Sequence, residues 1–293
     1  MSLRACFLLG LSCSSLACNT SSSRAPEAQH ADASAAPSKP AIVWPRAARA
    51  AVSLTYDDAL QSQLDHAVPA LRKHQLVGTF FLTGTSPVLQ ASPESYRALV
   101  RAGHELAAHT MNHPCDRALS FVKPGLSLQD YDSARMDAEL AESIQQLRYL
   151  GQTGPLTFAY PCGSTWIGEP PQSYVPSVEK SFVAARGIVR GVVDPARVQL
   201  FEVSSVMGDI SGSELVTWVE RAVQSGGWVV FTFHGVEGDN LSVDADAHEA
   251  LLAYLHKNQA QIWTERFGTV AQYVKAHARP APASSPSGAA NAE

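Results

Sequence analysis

The sequence predicts an α/β architecture in which helices cover a mainly parallel sheet, and two observations predict it. Short segments such as Gly78-Thr-Phe-Phe-Leu82 and Trp228-Val-Val-Phe-Thr-Phe233 are almost continuously apolar, as strands buried on both faces must be. They alternate, from residue 51 to residue 277, with stretches whose apolar residues recur at helical spacing. This alternation fits an α/β barrel or a doubly wound sheet, and periodicity does not choose between them. A chain of 293 residues with 45% hydrophobic content is long and apolar enough for one large domain, which excludes wholesale disorder.

The elements follow in order. Ala51 to Tyr56 reads as a strand. Leu64, Ala67, Val68 and Leu71 place a helix over 64–74, and 78–82 is the next strand. A helix over 93–101 has Ser92 as its cap and Pro93 at its first position. Glu105 to Ala108 is a short strand. Ala134 to Leu150 is an amphipathic helix stopped by Gly151. Between them, Pro114 to Ser133 carries few helix signals and has the length of a functional loop over a pocket. Thr157 to Tyr160 is a strand and Gly187 to Arg190 another. A helix over 213–224 precedes the apolar run 228–233, and helices over 243–259 and 269–277 close the body.

The ends read differently. Arg4 and the apolar residues 5–16 form an export signal over 1–18. Cys18, preceded by Ser15-Leu16-Ala17, is similar to a lipoprotein processing site, with ordinary cleavage after Ala17 as the alternative. Residues 19–45 form a Ser/Ala/Pro-rich linker and 278–293 a tail of the same kind, both too polar to fold. The protein is therefore expected outside the cytoplasm, periplasmic or at the cell surface, lipid-anchored at Cys18 or else secreted. The membrane is met only through that anchor, since no apolar stretch reaches the 18 residues of a spanning helix. A net charge of -5 and no Lys/Arg run exclude a nucleic-acid binder. Of five cysteines, Cys6, Cys13 and Cys18 lie in the leader. The two in the body, Cys115 and Cys162, either pair or remain as small buried hydrophobes.

The informative polar residues follow strands. Asp57 and Asp58 follow the first, His109 with His113 follows the strand 105–108, Pro161-Cys162-Gly163 follows the strand 157–160, and His234 ends the run 228–233. Singly each has a plain reading: a turn or cap for the Asp pair, surface residues for the two histidines, a loop residue for His234. Together they sit where strand ends of an α/β barrel converge on one face.

Their order and spacing resemble the polysaccharide deacetylase family, the NodB-like or carbohydrate esterase family 4 group. Its first motif, T-F-D-D-G, resembles Thr55-Tyr56-Asp57-Asp58-Ala59. Its second, H-S/T-x-x-H, matches His109-Thr110-Met111-Asn112-His113 in full. Its third, R-x-P-Y-G, is partly present as Ala159-Tyr160-Pro161-Cys162-Gly163, and its last, L-x-H, resembles Thr232-Phe233-His234. The resemblance spans 46–277 and implies a single-domain distorted (β/α) barrel and a metal-dependent N- or O-deacetylase acting on an acetylated glycan. It implies Asp58, His109 and His113 as metal ligands, Asp57 as general base, His234 as general acid, and the backbone N–H of Cys162 as an oxyanion donor. Two imidazoles and one carboxylate leave open positions on a divalent cation that acidifies water. Zinc is the default, with cobalt or nickel compatible.

The departures are as specific as the matches. The third-motif Arg, which in the family pairs with the catalytic Asp, is Ala159 here, and Arg135, Arg186 and Arg190 are the candidates to replace it. Cys162 stands where the family has an aromatic residue and Cys115 lies two residues beyond His113, so the resemblance implies a Cys115–Cys162 disulfide at the pocket rim. Asp209, with Asp194 behind it, is expected to orient His234. Tyr160 and Trp166 are the candidates to stack on a sugar ring. The rival reading, a catalytically silent glycan-binding lipoprotein on the same barrel, rests on the missing Arg alone.

Overall fold

The computed structural model describes residues 42–278. The segments expected as leader, with Cys18, as linker up to residue 41 and as tail beyond 278 lie outside the described residues. Residues 42–45, assigned to the linker by composition, belong to the folded body. Ile42 and Trp44 are buried, and the Trp44 indole donates to the Gly226 carbonyl at 2.9 Å.

Ten strands and eight α-helices are present among the described residues. The strands are β1 (Ala50–Asp57), β2 (Thr79–Leu82), β3 (Glu105–Ala108), β4 (Thr157–Ala159), β5 (Trp166–Ile167), β6 (Gln172–Ser173), β7 (Ala184–Arg190), β8 (Val203–Met207), β9 (Trp228–Phe233) and β10 (Ile262–Thr264). The helices are α1 (Val68–Lys73), α2 (Pro87–Ala91), α3 (Pro93–Arg101), α4 (Ser133–Tyr149), α5 (Val175–Ser181), α6 (Gly212–Ser225), α7 (Ala245–Lys257) and α8 (Phe267–His277). Strands β1, β2, β3, β4, β7, β8 and β9 run parallel in that spatial order, and β9 pairs back onto β1. The sheet is thus closed, a seven-stranded (β/α) barrel, and closure removes its exposed edges. The first half of β1 pairs with β10 and its last residues with β2, which is where the barrel departs from regular form.

Alternation along β1 divides the core in two. Val52, Leu54 and Tyr56 join the cluster beneath the helices, with Leu71, Val219 and Leu251. Ala51 joins a second cluster with Phe81, Ala107, Ala159, Ala184, Trp228 and Phe267. Polar residues share that inner face, each with a partner. The Glu105 carboxylate accepts from Thr79 Oγ1 at 2.9 Å, Thr157 Oγ1 at 2.7 Å and the Gly268 N–H at 2.9 Å. A Cβ on Gly268 would lie 2.6 Å from that carboxylate, so only glycine fits there.

The differences from expectation have local causes. The helix expected over 64–74 begins as a single π turn, Gln63–Ala67, whose widened hydrogen bond runs from the Val68 N–H to the Gln63 carbonyl. The ring of Pro69, which has no N–H, comes directly after it. Ser92 caps no N–H of α3 with its side chain. Strand β8, which closes the barrel, was not expected, because Ser204 and Ser205 interrupt its apolar run. The buried Ser205 hydroxyl spends its hydrogen bond on the Gly187 carbonyl at 2.8 Å. The connection 114–133 holds several turns and one short 3-10 helix, Leu128–Asp130, and runs against the segment carrying Trp166 through the bond from the Gly168 N–H to the Leu128 carbonyl at 2.9 Å. No described helix is long and apolar enough to cross a membrane.

Candidate active site

Inward parity along β1 carries Asp57 into the mouth of the barrel, where it is buried. Its Oδ2 is ion-paired with a terminal nitrogen of Arg186, a guanidinium as buried as the acid. The other terminal nitrogen donates to Thr232 Oγ1 at 2.6 Å. Of the three candidate arginines, Arg186 therefore occupies the place beside Asp57. Arg135 instead donates to the Gly125 and Asp130 carbonyls, and Arg190 lies over the Trp218 ring. Arg186 is the register partner of Ala159 across β4 and β7, so the guanidinium comes from the neighbouring strand at the level of Ala159. Burial pushes the Asp57 carboxyl up, but Arg186, with His109 and His234, outweighs burial and holds it below the usual carboxylate range. Asp57 Oδ1 is buried with no hydrogen-bond partner, an acceptor left free.

A residue that sequence reasoning missed ties this acid to His234. The side-chain amide of Gln63, fully buried on the π turn, donates to the carbonyls of both Asp57 at 2.5 Å and His234 at 3.0 Å. No sequence signal marks Gln63. His234 Nε2 lies 4.0 Å from Asp58 Oδ2, while its Nδ1 is buried without a partner. Asp209 does not orient it: one residue past Gly208, it is exposed to solvent. Asp194 is exposed as well and accepts from the Ala196 N–H.

Turns position the three residues expected as ligands. Asp58 has φ 75°, a left-handed backbone that swings its carboxylate away from the strand direction taken by Asp57. His109 follows β3 directly, and its Nδ1–H donates to the Ala159 carbonyl at 2.8 Å, which leaves Nε2 with a lone pair toward the pocket. Burial holds this imidazole neutral, with its pKa down at about 4. His113 is also left-handed, at φ 51°, and its N–H donates to Thr110 Oγ1 at 3.0 Å. Asp58 Oδ1 lies 3.4 Å from His113 Nε2 and 3.7 Å from His109 Nε2, and one atom from each residue falls within 4.8 Å of the others. Two imidazoles and a carboxylate converging without hydrogen bonds among themselves suit a divalent cation.

The third-motif turn stands alongside. Cys162 has φ 52°, and the turn's own hydrogen bonds use the N–H groups of Gly163 and Ser164, leaving that of Cys162 outside them. A disulfide joins Cys162 to Cys115, and the Cys115 sulfur sits 3.5 Å from His113 Nδ1. Tyr160 cannot stack on a sugar. Next to inward-facing Ala159 it must face outward, and it is buried edge-on against Phe158 and Tyr174. Trp166 is 53% exposed. Beyond Gly163 a cleft of about 400 Å³ opens between the exposed Ile188 and Val189 and the polar residues Asp194, Arg197 and Glu202.

Comparison with known proteins agrees with this geometry. The polysaccharide deacetylase family model matches residues 46–168. A chitooligosaccharide deacetylase of Bradyrhizobium sp. (strain ANU 289) is 42% identical over 64 residues, 22% of this chain and 28% of that protein. A gellan lyase of Bacillus sp. is 24% identical over 273 residues, 84% of this chain and 10% of that protein. The chain thus spans about a tenth and a quarter of these curated relatives' lengths. Among solved structures, a family 4 carbohydrate esterase from Streptomyces lividans in complex with acetate superposes with TM-score 0.52 at 20% identity, over 79% of this chain and 98% of that one. A candidate polysaccharide deacetylase from Mycobacterium smegmatis gives 0.55 at 17% identity, over 85% and 99%. Over residues 46–168 the chain is thus similar to the polysaccharide deacetylase family, and its fold is that of the family 4 carbohydrate esterase structure.

Proposed function

We propose that the protein is a metal-dependent hydrolase that removes acetyl groups from a polysaccharide or oligosaccharide, N-acetyl or O-acetyl. The observation that carries this reading is the convergence of Asp58, His109 and His113 on one point beside an ion-paired Asp57. A divalent cation held by these three residues, zinc by default with cobalt or nickel compatible, supplies positive charge that acidifies water and polarises a carbonyl.

The chain's own groups then divide the work. Asp57 receives the proton on Oδ1, the oxygen left free by the Arg186 pair. The Cys162 N–H donates to the acetyl oxygen as charge grows on it. His234 hands a proton to the departing nitrogen or oxygen. Trp166 offers an exposed indole face to a neighbouring sugar, and the cleft past Gly163 offers an apolar wall and polar groups to the next. The rival reading, a silent glycan-binding protein, rested on the absent motif arginine. Arg186 in its place removes that support. An extracytoplasmic location, with or without an anchor at Cys18, is part of the proposal.

The test is metal content and acetate release on one purified sample, assayed on acetylated chitooligosaccharides, peptidoglycan and acetylated xylan with zinc or cobalt added. Chelator-sensitive acetate release is the expected result. A protein that retains no metal under any loading condition refutes the ligand assignment.

A further inference from the structure

We infer that Glu139 of α4 is the positioning residue of the ligand turn His109–His113, and that through it the packing of α4 sets the affinity of the site for its metal. The inference rests on the assignment of His109 and His113 as ligands.

Glu139 is an acid on the buried stripe of an amphipathic helix, with Met136, Leu140, Ser143 and Leu147. Apolar spacing would give that position to a hydrophobe, and a buried carboxylate needs partners. Four donors meet it. Oε2 accepts from the Met111 N–H at 2.8 Å and the Asn112 N–H at 3.0 Å. Oε1 accepts from the Asn112 side-chain amide at 2.5 Å and the Tyr131 hydroxyl at 2.7 Å. The two backbone donors belong to the residues between the histidines, and the carbonyls of Thr110 and Met111 on the same turn are taken by the N–H groups of Gly84 and Thr85 at 2.9 Å.

The turn needs this support because its backbone is unfavourable. Thr110 at φ 61° and His113 at φ 51° are both left-handed, and neither is glycine. The turn also presses Met111 against Gly84, where a Cβ would meet the Met111 sulfur at 2.2 Å. Regular pairing cannot hold such a segment, since no strand continues through it. Without the carboxylate, two partly buried N–H groups lose their acceptor and the turn gains freedom to relax, which carries His113 away from Asp58. A carboxylate that fixes a ligand's backbone in this way governs metal binding as an outer partner of a metal site does, by orientation.

The experiment compares Glu139→Met with Glu139→Gln in the full chain. Gln keeps an oxygen for the two backbone donors and turns its amide toward Tyr131 and Asn112, whose side chains can both reverse to accept. Met removes every acceptor at similar size. Zinc affinity is measured by chelator competition, the Co(II) absorption spectrum reports coordination, and the melting temperature of the metal-free protein reports the fold. The expected result is an affinity loss of about 10–100-fold for Glu139→Met with an altered Co(II) spectrum, and a value within about 3-fold of the parent for Glu139→Gln. A folded Glu139→Met protein with parental affinity and spectrum overturns the inference. Should that variant not fold, Glu139→Asp, which withdraws the carboxylate by one methylene, is read in the same way. Failure of the parent itself to bind metal would count against the ligand assignment and not against Glu139.

Discussion

The two halves of the site are built by opposite means. The half to which we assign proton transfer, Asp57 with Arg186, stands on strand backbone inside the barrel, and its key interaction is one buried ion pair. The half proposed to hold the metal, Asp58 with His109 and His113, stands on turns, with three left-handed residues at Asp58, Thr110 and His113. Such residues cost about 1–3 kcal/mol each, and they persist only where surrounding bonds over-determine them. The difference follows from what each group must do. A base needs the right charge at a depth that water reaches, and a strand with a counter-charge provides it. Ligands must aim at a common point from separate segments, and only irregular backbone turns side chains that far from strand direction.

The comparison can be broken one half at a time. The largest effect is expected from Asp58→Ala, which should lose both metal and turnover. Asp57→Asn should keep metal, by elemental analysis, while acetate release falls at least about 100-fold. Parental activity in that variant would remove Asp57 from the chemistry. Next comes Arg186→Met, which leaves the buried Asp57 charge alone and should destabilise the fold by about 3–5 kcal/mol in denaturant melts. Adding Ala159→Arg should recover part of that loss, since the two positions face each other in register. Unfolding at parental denaturant concentration would show that the pair is not needed. Breaking the disulfide by Cys115→Ala with Cys162→Ala acts on the ligand half. The bridge closes a loop of 47 residues, worth about 4 kcal/mol by chain entropy, and Cys115 touches His113. The expected result is a lower melting temperature with metal affinity reduced more than Asp57→Asn reduces it.

The smallest expected effect is the acid limit, which should strike both halves together. Burial holds His104 and His248 neutral, with pKa values down at about 4 against an ordinary 6.5. Each has a ring nitrogen fitted to accept: His104 Nδ1 takes the Gly78 N–H at 3.0 Å, and His248 Nε2 sits 2.8 Å from the Tyr56 hydroxyl. The unfolded chain therefore binds more protons than the folded one between these values. Stability is full above about 6.5 and is lost as pH falls from there through about 4. A flat melting temperature across that interval would contradict it.

Much of this was legible in residues alone. The apolar runs gave β1, β2, β3 and β9, and residues at or just past the ends of β1, β3 and β9 are the ones that converge. What escaped depends on facts that linear order hides. Arg186 reaches Asp57 through a register between parallel strands, which no local pattern encodes. Strand β8 was hidden because a barrel's inner face tolerates serine where an outer face would demand valine. Tyr160 was misplaced although strand parity beside Ala159 would have turned it outward. Glu139 had a readable sign, a carboxylate on the apolar stripe of α4, while Gln63 had none.

The facing of Ala159 and Arg186 has a consequence for descent. An arrangement with arginine in the third motif and this one differ by two substitutions at paired positions. A path between them taken one step at a time would pass through either two guanidinium groups beside a single buried carboxylate or none at all. The buried acid, left without a counter-charge, makes the second the harder crossing.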